Sequence, residues 1–200
     1  ETLAAGLMRM TEWDGTNNLV DPLCGSGTFL IEAVSMSLGI SPGIDRQFLF
    51  KNWPDFDNFI WDKELKMAQK IKSSNKTLPK IIGCEVDEMI ANSAMDNVVK
   101  AGLESYIDII NCPFQDFQLP SGDGLLICNP PYGKRIGIEN ELPHLYMQLG
   151  EYCKKQASGW DLWLLNGNPK LSQYLGMKAS RRFQVNNGAI DCRWLNYKIR

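Results

Sequence analysis

Apolar residues along this chain follow two rhythms. The first is a series of short, nearly unbroken apolar runs: "NLVD", "KIIGCEVD", "YIDIIN", "GLLIC" and "WDLWLLNG". A strand covered on both faces needs such a run, so each is predicted to be a buried strand. The second rhythm repeats every three to four positions, the helical spacing. Leu3, Leu7 and Met10 show it in "ETLAAGLMRM". It recurs in "TFLIEAVSMSL", in "EMIANSAMDNVVKAG", which Gly102 ends, and in "LPHLYMQLGEYCKKQ". A charged amphipathic helix is predicted over about residues 61–74, and a short helix at "PKLSQYLGM". Ser26 or Thr28 is expected near the cap of the second helix. The tail "SRRFQVNNGAIDCRWLNYKI" reads as two strands around an Asn187-Gly188 turn.

Strands that alternate with helices imply an α/β fold. The expected architecture is a doubly wound, mostly parallel seven-stranded sheet with helices on both faces and an antiparallel hairpin at its C-terminal edge. Three stretches break the rhythm. Asp14-Gly15 marks a turn, and "KSSNKTLPK" is a polar break. Residues 41–60, rich in Pro, Asp and aromatics, have no period and are expected to be an inserted loop packed by its own rings. The 200 residues suit one domain. The chain opens inside a helical pattern without an initiator Met, as expected of a domain cut from a longer protein.

Composition narrows the function. A formal net charge of -2 argues against a domain built throughout as a cationic clamp. The charge is uneven, however. From Lys170 to Arg200 seven cations face Asp191 alone, a net +6 against -8 for the remainder. That end is either a solvated face or a surface for phosphates. The six cysteines form no C-x-x-C pair and read as reduced core residues. With His144 the one histidine, a histidine metal cluster or a serine triad is disfavoured, and no metal is expected. No apolar run approaches membrane-spanning length and no signal peptide is evident, so a cytoplasmic protein without membrane contact is expected.

Candidate chemistry lies at the predicted strand ends, where doubly wound sheets bind ligands. "DPLCGSGT" (21–28) is a glycine loop entering a helix. It lacks the third glycine of the dinucleotide fingerprint and the Gly-Lys-Ser/Thr of a phosphate loop. Asp21, four positions before the first glycine, favours an ammonium over a phosphate. Glu85 and Asp87 close the next strand, where a carboxylate can accept both hydroxyls of a ribose or simply face solvent. Asp116 follows the third strand, as a turn residue or as an acceptor for an exocyclic amine. In "NPPYG", the Asn129 side-chain carbonyl and the Pro130 carbonyl are two acceptors stiffened by Pro130 and Pro131. Tyr132 adds a flat face. Such a set suits a planar aromatic amine, whereas Asn-Pro-Pro in isolation is a plain turn.

In this order the motifs resemble the class I S-adenosylmethionine-dependent methyltransferases that act on base amino groups. "ETLAAGL", "DPLCGSGTFLIEA", "NPPYGKRIG" and "NNGAIDCRWLNYKI" look most like the catalytic domain of bacterial 23S rRNA guanine-N2 methyltransferases, whose RNA-binding THUMP domain precedes it. The resemblance implies S-adenosylmethionine as cofactor and RNA as partner, with affinity supplied largely by a THUMP domain not in this sequence. It implies that Asp21, Cys24, Gly25, Ser26 and Gly27 surround the methionine part of the cofactor. Glu85 would take the ribose with Asp87 behind it, and Asp116 and Phe117 would meet the adenine. Asn129, Pro130, Pro131 and Tyr132 would hold the target base. Alternatives are an adenine-N6 methyltransferase on DNA or RNA, a non-catalytic cofactor-binding scaffold, and, more distantly, a dinucleotide oxidoreductase.

Overall fold

The computed structural model describes residues 1–44, 46–72, 77–133 and 141–200. The end of the predicted 61–74 helix, the centre of "KSSNKTLPK" and the "KRIG" that follows "NPPYG" lie outside the described residues.

Among these residues seven strands form one sheet: β1 (Asn18–Asp21), β2 (Ile81–Glu85), β3 (Ile107–Asn111), β4 (Gly124–Cys128), β5 (Asp161–Asn166), β6 (Arg181–Asn187) and β7 (Ile190–Lys198). Their order is β3-β2-β1-β4-β5-β7-β6. β1 to β5 run parallel, and β7 lies antiparallel between β5 and β6. Strand order therefore reverses between β1 and β4, which are direct neighbours with Leu19 opposite Leu125.

The helices are α1 (Thr2–Thr11), α2 (Thr28–Ser37), α3 (Asn58–Lys72), α4 (Glu88–Lys100) and α5 (Leu142–Gln156). Alternate residues of each strand feed two cores. Leu19, Ile81, Leu125, Ile127 and Trp163 pack with α1, α2 and α4 on one face. Val20, Ile82, Leu126, Cys128 and Leu164 pack with α5 on the other. Both faces are covered, which is why the strands read as unbroken apolar runs.

Several boundaries differ from the sequence reading. α3 begins at Asn58 because Asp57 Oδ1 accepts the amides of Phe59 (2.8 Å) and Ile60 (3.1 Å), a cap worth ~1 kcal/mol. The cap of α2 falls where expected, on Gly27 between Ser26 and Thr28, and the hydroxyls of those two bond to each other at 3.0 Å. The short helix is a 3-10 turn, Leu171–Leu175. The hairpin turn is Gly188-Ala189, one residue later than expected. Gly188, with φ 61°, takes the first turn position, and Asn187 stays in the ladder opposite Ile190. In the loop before α3, Phe48 stacks on Phe50 at 5.1 Å, and Phe50 meets Trp61 at 5.6 Å.

Candidate active site

The glycine loop leaves β1 at Asp21 and turns back into α2. Its two left-handed residues, Gly25 (φ 53°) and Gly27 (φ 78°), are both glycines because a Cβ is disfavoured there. The loop is tied down from three sides. Cys24 N–H donates to the Cys84 carbonyl (2.9 Å), Gly25 N–H to Glu85 Oε2 (3.1 Å), and Asn97 Nδ2 of α4 to the Ser26 carbonyl (3.1 Å).

Asp21 is 1% exposed. Its Oδ1 accepts from Leu23 N–H at 3.1 Å, and no lysine or arginine pairs with it among the described residues. Burial pushes its carboxyl up to about 8, with the Glu85 charge adding to the rise and the Leu23 amide opposing it. A buried carboxylate with one oxygen uncommitted is suited to an incoming cation. Burial likewise pushes the Cys24 thiol up, helped by Asp21 and Glu85, so Cys24 serves as an inert wall of the loop.

Glu85 is the last residue of β2 and half-buried. Besides Gly25 it accepts from Asp87 N–H through Oε1 (3.0 Å), and so links the first two strand ends. The Asp87 side chain caps α4, accepting from Met89 N–H (2.9 Å) and Ile90 N–H (3.1 Å). It stands behind Glu85 as a backbone support. Asn111, at the end of β3, donates to the Glu85 carbonyl at 2.9 Å. Asp116 is exposed on a 3-10 turn, Phe114–Asp116, and Phe117 beside it packs on the α5 face. No hydrogen bond joins Asp116 to the glycine loop or to Glu85 among the described residues.

Asn129 continues β4 beyond Cys128. It is exposed, and its side chain has no hydrogen-bond partner among the described residues, while Pro130 is buried. Tyr132 is half-buried and held at two points. Asn187 Nδ2 donates to its hydroxyl at 2.7 Å. A Cβ on Gly167 would stand 2.5 Å from Tyr132 Cδ2, so only glycine lets the ring lie there. Neither support was legible in the sequence. Gly167 looks like the stop of a strand, and Asn187 belongs to an Asn-Gly pair that signals a turn. A polar residue whose side-chain partner lies 55 positions away has no local pattern.

The six cysteines are free, and no group of three potential metal ligands occurs among the described residues. His144 is exposed in the first turn of α5. No helix among the described residues is long and apolar enough to cross a membrane.

Comparison with known proteins identifies the family and the fold. A family profile described as the RMKL-like methyltransferase domain matches residues 1–196. A Synechocystis sp. protein named as an RNA methyltransferase is 40% identical over 200 residues, covering 100% of this chain and 52% of that protein. The ribosomal RNA large subunit methyltransferase K/L of Marinomonas sp. is 38% identical over 207 residues, covering 100% of this chain and 29% of that protein. Among solved structures, SMU.472, named as a methyltransferase and crystallised with S-adenosylhomocysteine, superimposes with a TM-score of 0.92 at 29% identity, over 99% of this chain and 52% of that one. A Listeria monocytogenes protein named as an N6-adenine-specific DNA methylase gives 0.89 at 29% identity, over 100% of this chain and 51% of that one. The chain thus spans about half the length of several of these relatives and less of the K/L enzyme. With the β3-β2-β1-β4-β5-β7-β6 sheet and a profile match over nearly every residue, the chain belongs to the RMKL-like methyltransferase domain family, on the class I methyltransferase fold.

Proposed function

We propose that the protein containing this chain transfers a methyl group from S-adenosylmethionine to the exocyclic N2 amine of a guanine in RNA, in large-subunit ribosomal RNA. The observation that carries the reading is the Asn129–Tyr132 segment on the strand next to the glycine loop. β1 and β4 pair directly, so their tips stand about 4.8 Å apart. A base amine held at one tip is then within reach of a donor held at the other. The choice of guanine rests on the C-terminal "NNGAIDCRWLNYKI", and that of ribosomal RNA on the K/L relatives.

S-adenosylmethionine, when bound, supplies a methyl group on a sulfonium, open to displacement by a nitrogen lone pair. Asp21 suits its ammonium, the loop from Cys24 to Gly27 its methionine chain, and Glu85 its ribose hydroxyls, with the Asp87 amide holding the Glu85 carboxylate from behind. Asp116 and Phe117 are assigned to the adenine.

The target amine is a poor nucleophile because its lone pair is delocalised into the ring. Asn129 Oδ1 and the Pro130 carbonyl accept its two N–H bonds and favour a pyramidal nitrogen, which frees the lone pair. The two prolines keep these acceptors from relaxing away. Tyr132 stacks on the base, returning ~1–3 kcal/mol of the cost of unstacking it. Positioning supplies most of the acceleration, and acceptors aimed at the growing positive charge add to it. The surplus proton passes to solvent after transfer.

Mass spectrometry of nucleosides from RNA treated with the protein and isotopically labelled cofactor tests the reading. N2-methylguanosine is the expected product. N6-methyladenosine would instead establish the second reading, which the name of the Listeria relative favours. Absence of label from both nucleosides in RNA, and from N6-methyldeoxyadenosine in DNA treated the same way, would refute both.

The Asn187 contact gives a separate expectation. Tyr132→Phe and Asn187→Ala each remove the same hydrogen bond, worth ~1 kcal/mol, and each should slow single-turnover transfer by about fivefold. The double variant should be no slower than either alone. Additive losses would show that Asn187 acts elsewhere.

A further inference from the structure

The α5-facing side of the β7–β6 edge carries a groove of about 400 Å3, open to solvent. Leu195 and Tyr197 of β7 line its floor, and Lys178, Arg182 and Arg193 line its walls. The strand register explains why both arginines face it. Arg182 lies opposite Leu195, and Gln184 opposite Arg193, so all four residues share one face. Lys154, in the last turn of α5, brings a fourth cation. Its Nζ lies 2.6 Å from where a Cβ on groove-lining Gly176 would stand.

None of these four cations has an ion-pair partner among the described residues. Their neighbours in sequence do. Arg181, on the opposite face, pairs with Glu12 at 3.7 Å, and Lys198 with Asp161 at 2.6 Å. Asp191 shares the groove's face near the hairpin tip, and its Oδ1 is taken by the amide of Asn186. On a chain of net charge -2 this is a local concentration of uncompensated positive charge. Cations strung along an open groove match a row of anions better than one small anion, which needs converging donors.

The groove also leads to the candidate active site. Arg193 lies opposite Asn166, the last residue of β5. Gly167, next in the chain, lies against the Tyr132 ring. One cross-strand step and one step along the chain put the Arg193 backbone roughly 10 Å from Tyr132. The geometry points to this groove as the seat of the RNA backbone phosphates next to the target nucleotide, with Arg193 of β7 nearest the base, and Arg182 of β6 and Lys178, just before β6, further along the groove. The inference rests on the reading of the site as an RNA amine methyltransferase, and extends it to the path of the substrate.

The test compares the whole protein with its Lys178→Ala/Arg182→Ala/Arg193→Ala variant, using large-subunit ribosomal RNA transcribed in vitro as the probe. Methyl transfer is measured from low to high KCl. KM for RNA should rise about tenfold or more while kcat and cofactor affinity hold, and the slope of log(kcat/KM) against log salt should become shallower by about two, since each phosphate contact contributes ~0.7. A Lys63→Ala/Lys66→Ala/Lys100→Ala control, on α3 and α4, removes equal charge elsewhere and should leave the slope unchanged. Wild-type KM and slope in the groove variant, or an equal change in the control, would overturn the inference. If the wild-type protein methylates no RNA, the functional reading fails. Filter binding of the same RNA then still decides the groove: weaker binding by the groove variant alone upholds it, and equal binding overturns it.

Discussion

Asn129→Ala is expected to slow single-turnover methyl transfer by about 10²–10³-fold, the usual loss when one preorganised polar group facing developing charge is removed. Cofactor affinity by calorimetry should change little, because the lost interaction exists with the amine and not with the donor. The structure makes this a clean experiment. Asn129 is exposed and holds no neighbour by a hydrogen bond among the described residues. Its removal therefore leaves no buried partner stranded, and thermal stability should stay near wild type. Loss of cofactor binding in step with activity would move Asn129 from the amine to the donor.

Asp21→Asn should have the opposite profile, with cofactor binding lost and the apoprotein stabilised. Breaking a buried charge pair typically costs ~3–5 kcal/mol, so affinity should fall by about 10²-fold or more. Without cofactor the carboxyl is raised by burial from 3.8 to about 8. Between those values the folded state holds a proton that the unfolded state has released. Wild-type stability is therefore undiminished by this group below pH 3.8 and is eroded as pH rises toward about 8. Asparagine carries no such proton. The variant's melting temperature should thus gain on wild type across that window and match it most closely in acid. Binding should couple to ionisation as well. Affinity for the cofactor should climb as Asp21 ionises toward about pH 8, then fall as the α-amino group, with a pKa near 8, loses its own proton. The variant should keep only the descending limb. A wild-type affinity that is flat from pH 6 to pH 8 would contradict the pairing.

The sheet was legible because parallel strands buried on both faces cannot hide their apolar runs. Leu125–Cys128 and Leu162–Leu165 are wholly buried, and their sequences say so. The residues at the strand tips were legible for a related reason. Glycines at left-handed positions and paired prolines are demanded by the backbone, and few other residues can stand there. What remained hidden were contacts between segments distant in sequence. Asn187 supports Tyr132 only because an antiparallel β7 carries the hairpin back to the parallel strand ends. Asn97 and Asn111 brace the glycine loop and Glu85 through single amides on other elements. The Asn187-Gly188 turn was misplaced by one residue for a plain reason: both an Asn-Gly and a Gly-Ala turn put Gly188 in a position where positive φ is allowed. Glu85 and Asp87 looked alike in "GCEVD". The structure separates them, one reaching the glycine loop and the other capping α4.

The account stands on β1 and β4 presenting donor and acceptor to a single space. Crystals grown with S-adenosylhomocysteine measure that directly. The expected result is sulfur density above the glycine loop, facing Asn129 Oδ1 across a gap that a methyl group and an amine nitrogen, about 3–3.5 Å apart before reaction, would fill. Sulfur in a cavity walled off from Asn129, with no line between them, would contradict it.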